Sequence, residues 1–195
     1  QVWGTILYTF EKYIELLLVP LNLSHDYYPY AIPVADFSFA RVWLAIIGYG
    51  AMGVYAIYGL FKRSIPAFAA LYYLATFSVV SNVFVVIGTT MNERFIFMSS
   101  LAFSLVTAYL IVRLHKWQKY LAIGTFVAFL AFYAYGTIVR CPDWGSYINL
   151  NKSAVEHAPN SARSNLFYGT ALFREVAYAP ASKEKEEMLR KSLNH

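Results

Sequence analysis

Glu93 and Arg94 stand side by side at the start of an apolar run, in the stretch GTTMNERFIF over residues 88–97. A guanidinium at the edge of an apolar segment suits a phosphate, because its planar fork binds two oxygens at once. A helix N-terminus adds backbone N–H groups and a favourable dipole, which also suits Glu93. The plainer use of the same residues is that Glu93 caps the helix and Arg94 snorkels to lipid headgroups. A second group is His25 and Asp26, within PLNLSHDYYPY over residues 20–30. An acid and an imidazole there could bind a sugar or a phosphate, or move a proton. Alternatively Asp26 turns the loop and the tyrosines form an interfacial belt. A third group is Glu11, Lys12 and Glu15, with the two acids on one helix face. Acids inside a membrane helix are functional candidates; an internal Lys12–Glu pair or a solvated interfacial face is the structural alternative. No Walker loop, GxGxxG, His/Cys zinc spacing or serine elbow occurs. The pattern names no metal ligands and no catalytic base, and implies no cofactor.

The elements that must hold these groups are membrane helices. Hydrophobic residues make up 58% of the 195 residues and charged residues 14%, where a soluble domain carries about 25% charge. That excludes a cytosolic enzyme and a disordered protein. Residues 1–139 hold 8 Lys/Arg and 5 Asp/Glu, and the much shorter 140–195 holds 8 and 6. The chain therefore divides into a membrane part, 1–139, and a water-soluble outer part, 140–195. A bilayer core needs about 20 apolar residues in a helix. Spans are expected at 42–61, 65–82, 95–112 and 120–139, the second of uncertain length. Segment 2–19 either spans, with its acids turned inward, or lies in the interface. Gly48, Gly50, Gly53 and Gly59 read as packing sites between helices.

Loop charge sets the orientation. Lys62, Arg63, Arg113, Lys116 and Lys119 belong on the cytoplasmic side. Residues 20–40, 81–94 and all that follow Val139 then share the periplasmic or lumenal side. These basic loops account for much of the net charge of +5, so no nucleic acid partner is expected. Cys141 is alone, which excludes a disulfide within the chain. The sequence starts without Met and stops within a polar helical pattern, so we expect a fragment cut at both ends.

The outer part is polar and helical in pattern. Ala154, Pro159 and Gly169 fit the junction between two tetratricopeptide repeats, where a Pro closes one helix and a Gly sits ten residues later in the next. A generic helical tail is the alternative. Sequons occur at Asn22 and Asn151, and chance explains both.

Four runs occur in a telling order: LLLVPLNLSHDY at 16–27, FKRSIPAF at 61–68, VSNVFVVIGTTMNERF at 80–95, and CPDW at 141–144. Together they resemble the transmembrane and tetratricopeptide-repeat proteins, a group similar to GT-C glycosyltransferases. The resemblance covers nearly the whole chain and is most specific at 23–27 and 92–95. It implies an all-α fold: a polytopic helical membrane bundle, the second half of a GT-C-like domain, followed by the beginning of a tetratricopeptide-like repeat region. It implies transfer of a sugar from a polyprenyl-phosphate donor to a protein acceptor on the outer side, with the acceptor held by the repeats. By analogy Asp26, His25, Glu93 and Arg94 would face the donor's phosphate or sugar. The family's acidic catalytic loop would lie before residue 1, which leaves the catalytic residue of this chain unassigned.

Three functions remain open at this stage. The first is the glycosyltransferase. The second is a non-catalytic, membrane-anchored repeat scaffold that assembles other subunits of an envelope complex. The third is a transporter or channel, supported only by the break at Ser81 and Asn82. An enzyme requires Arg94 and Asp26 to face one cavity; a scaffold lets them be caps and lipid contacts.

Overall fold

A computed structural model describes residues 2–20, 24, 27 and 32–178. The described residues form seven α-helices and no strand. They are α1 (Val2–Leu18), α2 (Ala40–Lys62), α3 (Ile65–Val80), α4 (Phe97–Trp117), α5 (Lys119–Arg140), α6 (Tyr147–His157) and α7 (Ala162–Tyr178). Short 3-10 turns precede α4 (Glu93–Ile96) and follow α5 (Cys141–Gly145).

Three helices are long and apolar enough to cross a membrane: Ala40–Lys62, Glu93–Trp117 and Lys119–Gly145, the last two counted with their 3-10 turns. The expected span at 65–82 is a shorter helix that ends at Val80, so three long helices and one short one replace the four spans. Ser81 and Asn82 stop it because Asn82 takes a left-handed backbone, φ 58°. The apolar side chains of α2, α4 and α5 are largely on the outside, as with Val54, Phe97 and Leu130.

Successive helices run antiparallel. Arg63, left-handed at φ 49°, turns α2 into α3. A Cβ on Gly59 would overlap the methyl of Ala67, so this crossing needs glycine. At Gly48, Gly50 and Gly53 a Cβ would meet open space among the described residues, so no close helix approach needs these glycines, contrary to expectation. Spacing alone does not say which face of a helix meets a neighbour. Thr76 and Ser99 join α3 to α4 through their hydroxyls at 2.8 Å. Gln118 turns α4 into α5, where Phe103 meets Phe129 and Tyr133.

All these turns place the first residues of α2 and α4 and the last of α3 and α5 at one end. Basic residues Lys62, Arg63, Arg113, Lys116 and Lys119 gather at the other. Helix α1 crosses the first end. Its Gly4 presses on the backbone of Ala35 and Asp36, where any side chain would collide. Phe10 packs on Tyr49 and Phe77, Tyr13 on Phe77. Further along, Tyr133 of α5 donates to the carbonyl of Leu17.

The charges of α1 are paired. Lys12 Nζ lies 2.8 Å from Glu15, and Arg41 reaches Glu11 at 3.2 Å and Glu15 at 3.1 Å. The Lys12–Glu pair foreseen as the structural alternative is present, with its side chains 30% and 43% exposed rather than internal. Arg41, from the first turn of α2, completes it.

Helices α6 and α7 form a hairpin. Pro159 falls just after α6 and Gly169 is buried inside α7. Asn151 is 1% exposed and its Nδ2 donates to the Tyr147 carbonyl at 2.7 Å, so this sequon is closed to modification. Asn22 lies outside the described residues.

Candidate functional site

The site grows from the chain's entry into α4. Asn92 is extended (φ −153°, ψ 138°), and its Oδ1 accepts the Arg94 N–H at 3.2 Å. Asn92, rather than Glu93, therefore caps this turn. Tyr13 fixes Asn92 from α1: its hydroxyl accepts the Asn92 N–H at 3.1 Å and donates to the Asn92 carbonyl at 3.3 Å.

Freed from capping, Glu93 turns inward. One carboxylate oxygen accepts from the Tyr27 hydroxyl at 3.1 Å, and the other lies 3.7 Å from Arg140 Nη2. The Glu93 and Arg140 side chains are 20% and 14% exposed. Tyr27 also accepts the Ser24 N–H at 3.0 Å. Burial first, and the charge of Glu93 second, hold the Tyr27 phenol well above the usual tyrosine range, so it remains a neutral donor. Arg140 reaches Asp143 at 4.0 Å, and Asp143 accepts from Ser153 Oγ at 2.8 Å. One polar chain thus links the loop before α2, the start of α4, the end of α5 and the α6–α7 hairpin.

Arg94 points the other way. It is exposed, and its guanidinium has no ion pair or hydrogen bond among the described residues. It lines an open cavity of about 570 Å³ with Glu93, Phe97, Ser100, Trp144 and Leu150. A free cation at the rim and an apolar wall beneath it can take an anionic head joined to an apolar chain.

Of the four donor-site candidates named in the sequence, Glu93 and Arg94 line one cavity, with Glu93 also engaged inward. His25 and Asp26 lie outside the described residues. Sequence reasoning missed Tyr27, Arg140, Asp143 and Trp144. One signal was available: Glu93 and Arg140 close two apolar runs expected to end on the same side, with opposite charges. Among the described residues, no group of His, Cys, Asp and Glu could hold a metal ion. Comparison with family models, with curated proteins and with solved structures finds no match.

Proposed function

We propose that this chain forms part of a polytopic membrane glycosyltransferase that takes a sugar from a polyprenyl-phosphate donor to a protein acceptor on the periplasmic or lumenal side. The single observation that supports it is Arg94: an unpaired guanidinium at the rim of an apolar-walled cavity, at the end of the helices away from the basic turns. In such a transfer an acceptor hydroxyl attacks the anomeric carbon, the bond from that carbon to the phosphate oxygen breaks, and the lipid phosphate leaves with the charge. Arg94 would hold that phosphate and neutralise it as it leaves. Phe97, Trp144 and Leu150 would cover the first isoprene units. The acceptor's proton needs a base. Glu93 is committed to Tyr27 and Arg140, and no residue of this chain is assigned that role. The hairpin of α6 and α7 stands beside the cavity through Trp144 and Leu150; as the start of a repeat array it would present the acceptor.

The test is binding of polyprenyl phosphate, and of a polyprenyl-phosphate hexose, to the full chain in nanodiscs. Arg94→Ala should lose binding while Lys152→Ala, an exposed control, retains it. Equal binding by all three proteins removes Arg94 from the site.

One observation favours a second reading, the membrane-anchored scaffold. Glu93 ties α4 to α5 through Arg140, and Asp143 ties that same Arg140 to Ser153 of the α6–α7 hairpin. Donor binding without sugar transfer to any acceptor would select it.

A further inference from the structure

We propose that the loop between α3 and α4 is a lipid-inserted wedge, with its apolar tip, Val83–Ile87, seated in the acyl boundary of the outer leaflet. This rests on the membrane-spanning reading above and is independent of the donor and of sugar transfer.

The tip is exposed and wholly apolar. Phe84 is 78% exposed and Val86 is 87% exposed. No charged residue lies between Arg63 and Glu93. A contiguous exposed apolar surface marks an interaction site, and the backbone here is non-helical.

Irregular backbone enters an apolar layer only when its polar groups are satisfied from within. One side chain ties the neck of this loop, while the N–H groups of Phe84, Val85 and Val86 at the tip have no partner among the described residues, which keeps the tip at the acyl boundary, within reach of water, and out of the hydrocarbon core. Asn82 Oδ1 accepts the Ile87 N–H at 2.8 Å, and Asn82 Nδ2 donates to the carbonyls of Thr89 and Thr90 at 3.2 and 3.4 Å. Ser81 Oγ accepts the Val83 N–H at 3.3 Å, and the Thr89 N–H returns to the Ile87 carbonyl at 2.6 Å. The left-handed backbone of Asn82 is what lets its carboxamide fold back across the neck. The loop closes on itself and leaves its apolar side chains outward.

Its height fits. The Thr76–Ser99 hydroxyl pair sets α3 against α4. Ser81 lies five residues beyond Thr76 and Arg94 five before Ser99, so both stand at one level, about 7 Å above the pair. From Arg94 down to Arg113 the helix rise gives about 28 Å, close to the roughly 30 Å of a hydrocarbon core. The loop therefore springs from the outer edge of that core. On either side the lipid-facing surface continues, with Val79 at the end of α3 and Phe97 at the start of α4 both exposed. That continuity, and the lack of charge, fit an acyl layer better than a polar protein surface.

The test places a nitroxide at Phe84→Cys or Val86→Cys in the full chain, in a Cys141→Ser background, reconstituted in phosphatidylcholine vesicles. Collision with oxygen and with a water-soluble nickel chelate is then read by electron paramagnetic resonance. Both sites are exposed, so neither label disturbs packing. Leu130→Cys on α5 is the lipid-facing control and Asp36→Cys the water-facing one. We expect the loop labels to be shielded from the chelate several-fold relative to Asp36, in the manner of Leu130. Chelate access equal to that at Asp36, with Leu130 shielded, overturns the wedge alone. Access at Leu130 as well overturns the spanning reading, and the wedge with it.

Discussion

Glu93→Gln keeps the shape of the side chain and removes its charge, so it isolates the contribution of the pair with Arg140. Both side chains are mostly buried, and Arg140 keeps Asp143 as a second partner. The cost should be about 1–2 kcal/mol, below the roughly 3–5 kcal/mol that follows when a buried charge loses its partner outright. Thermal unfolding in detergent measures it. Arg94→Ala should move the same midpoint by less than about 0.5 kcal/mol, the range of exposed substitutions, while removing phosphate binding. An unfolding shift from Arg94→Ala as large as that from Glu93→Gln would contradict the division of roles. Tyr27 adds a pH test. Its folded-state pKa is raised by burial and then by Glu93, so its contribution is full below the ordinary tyrosine value of about 10 and is lost as pH climbs past it. Tyr27→Phe should weaken the fold at neutral pH and lessen that alkaline loss. The candidate pair was legible in the sequence, but its roles were not. Adjacent residues in a 3-10 turn point about 120° apart, so Glu93 reaches inward to Tyr27 and Arg140 while Arg94 is exposed, although both touch one cavity. The inward partner, Arg140, is brought to Glu93 only by the antiparallel return of α5.

At the scale of elements, two contacts decide whether the helices dock. Gly59→Ala puts a methyl where Ala67 already has one, which should cost about 1–3 kcal/mol by forcing α2 from α3. Adding Ala67→Gly should restore much of it, and failure of that rescue would mean the crossing is not set by this contact. Tyr13→Phe removes the acceptor of the buried Asn92 N–H and the donor to its carbonyl. The expected loss is about 1–3 kcal/mol, seen as earlier proteolysis of α1 before the rest unfolds. The helices themselves were readable because apolar runs of spanning length end at basic or polar residues. The placement of α1 was not. Its composition allowed a span or an interfacial helix, and the choice turns on Arg41 and Asn92, which belong to other elements. The end of α3 was half legible: Ser81 and Asn82 signal a break, but only the left-handed Asn82 shows that the chain leaves the helix for a closed loop.

At the scale of the whole molecule, the number of crossings fixes which parts share a side, and α3 is the element on which it turns. With 16 residues α3 is about 24 Å long, less than a hydrocarbon core of about 30 Å. Its neighbours settle its course. Gly59 meets Ala67 near one end, and Thr76 meets Ser99 toward the other, so α3 passes between α2 and α4 over most of their length. If α2 and α4 cross, α3 crosses with them. Four crossings place the turn at Asp36 and the exposed thiol of Cys141 on the same side, and Lys116 on the other. A membrane-impermeant maleimide applied to intact cells should therefore label native Cys141. In the Cys141→Ser background it should also label Asp36→Cys, and reach Lys116→Cys only after permeabilisation. Three crossings, with α3 lying outside the membrane, would instead put Asp36 and residue 141 on opposite sides. Labelling of Cys141 without Asp36→Cys would thus overturn the course of α3, and labelling of Lys116→Cys alone would reverse the orientation that the basic turns demand.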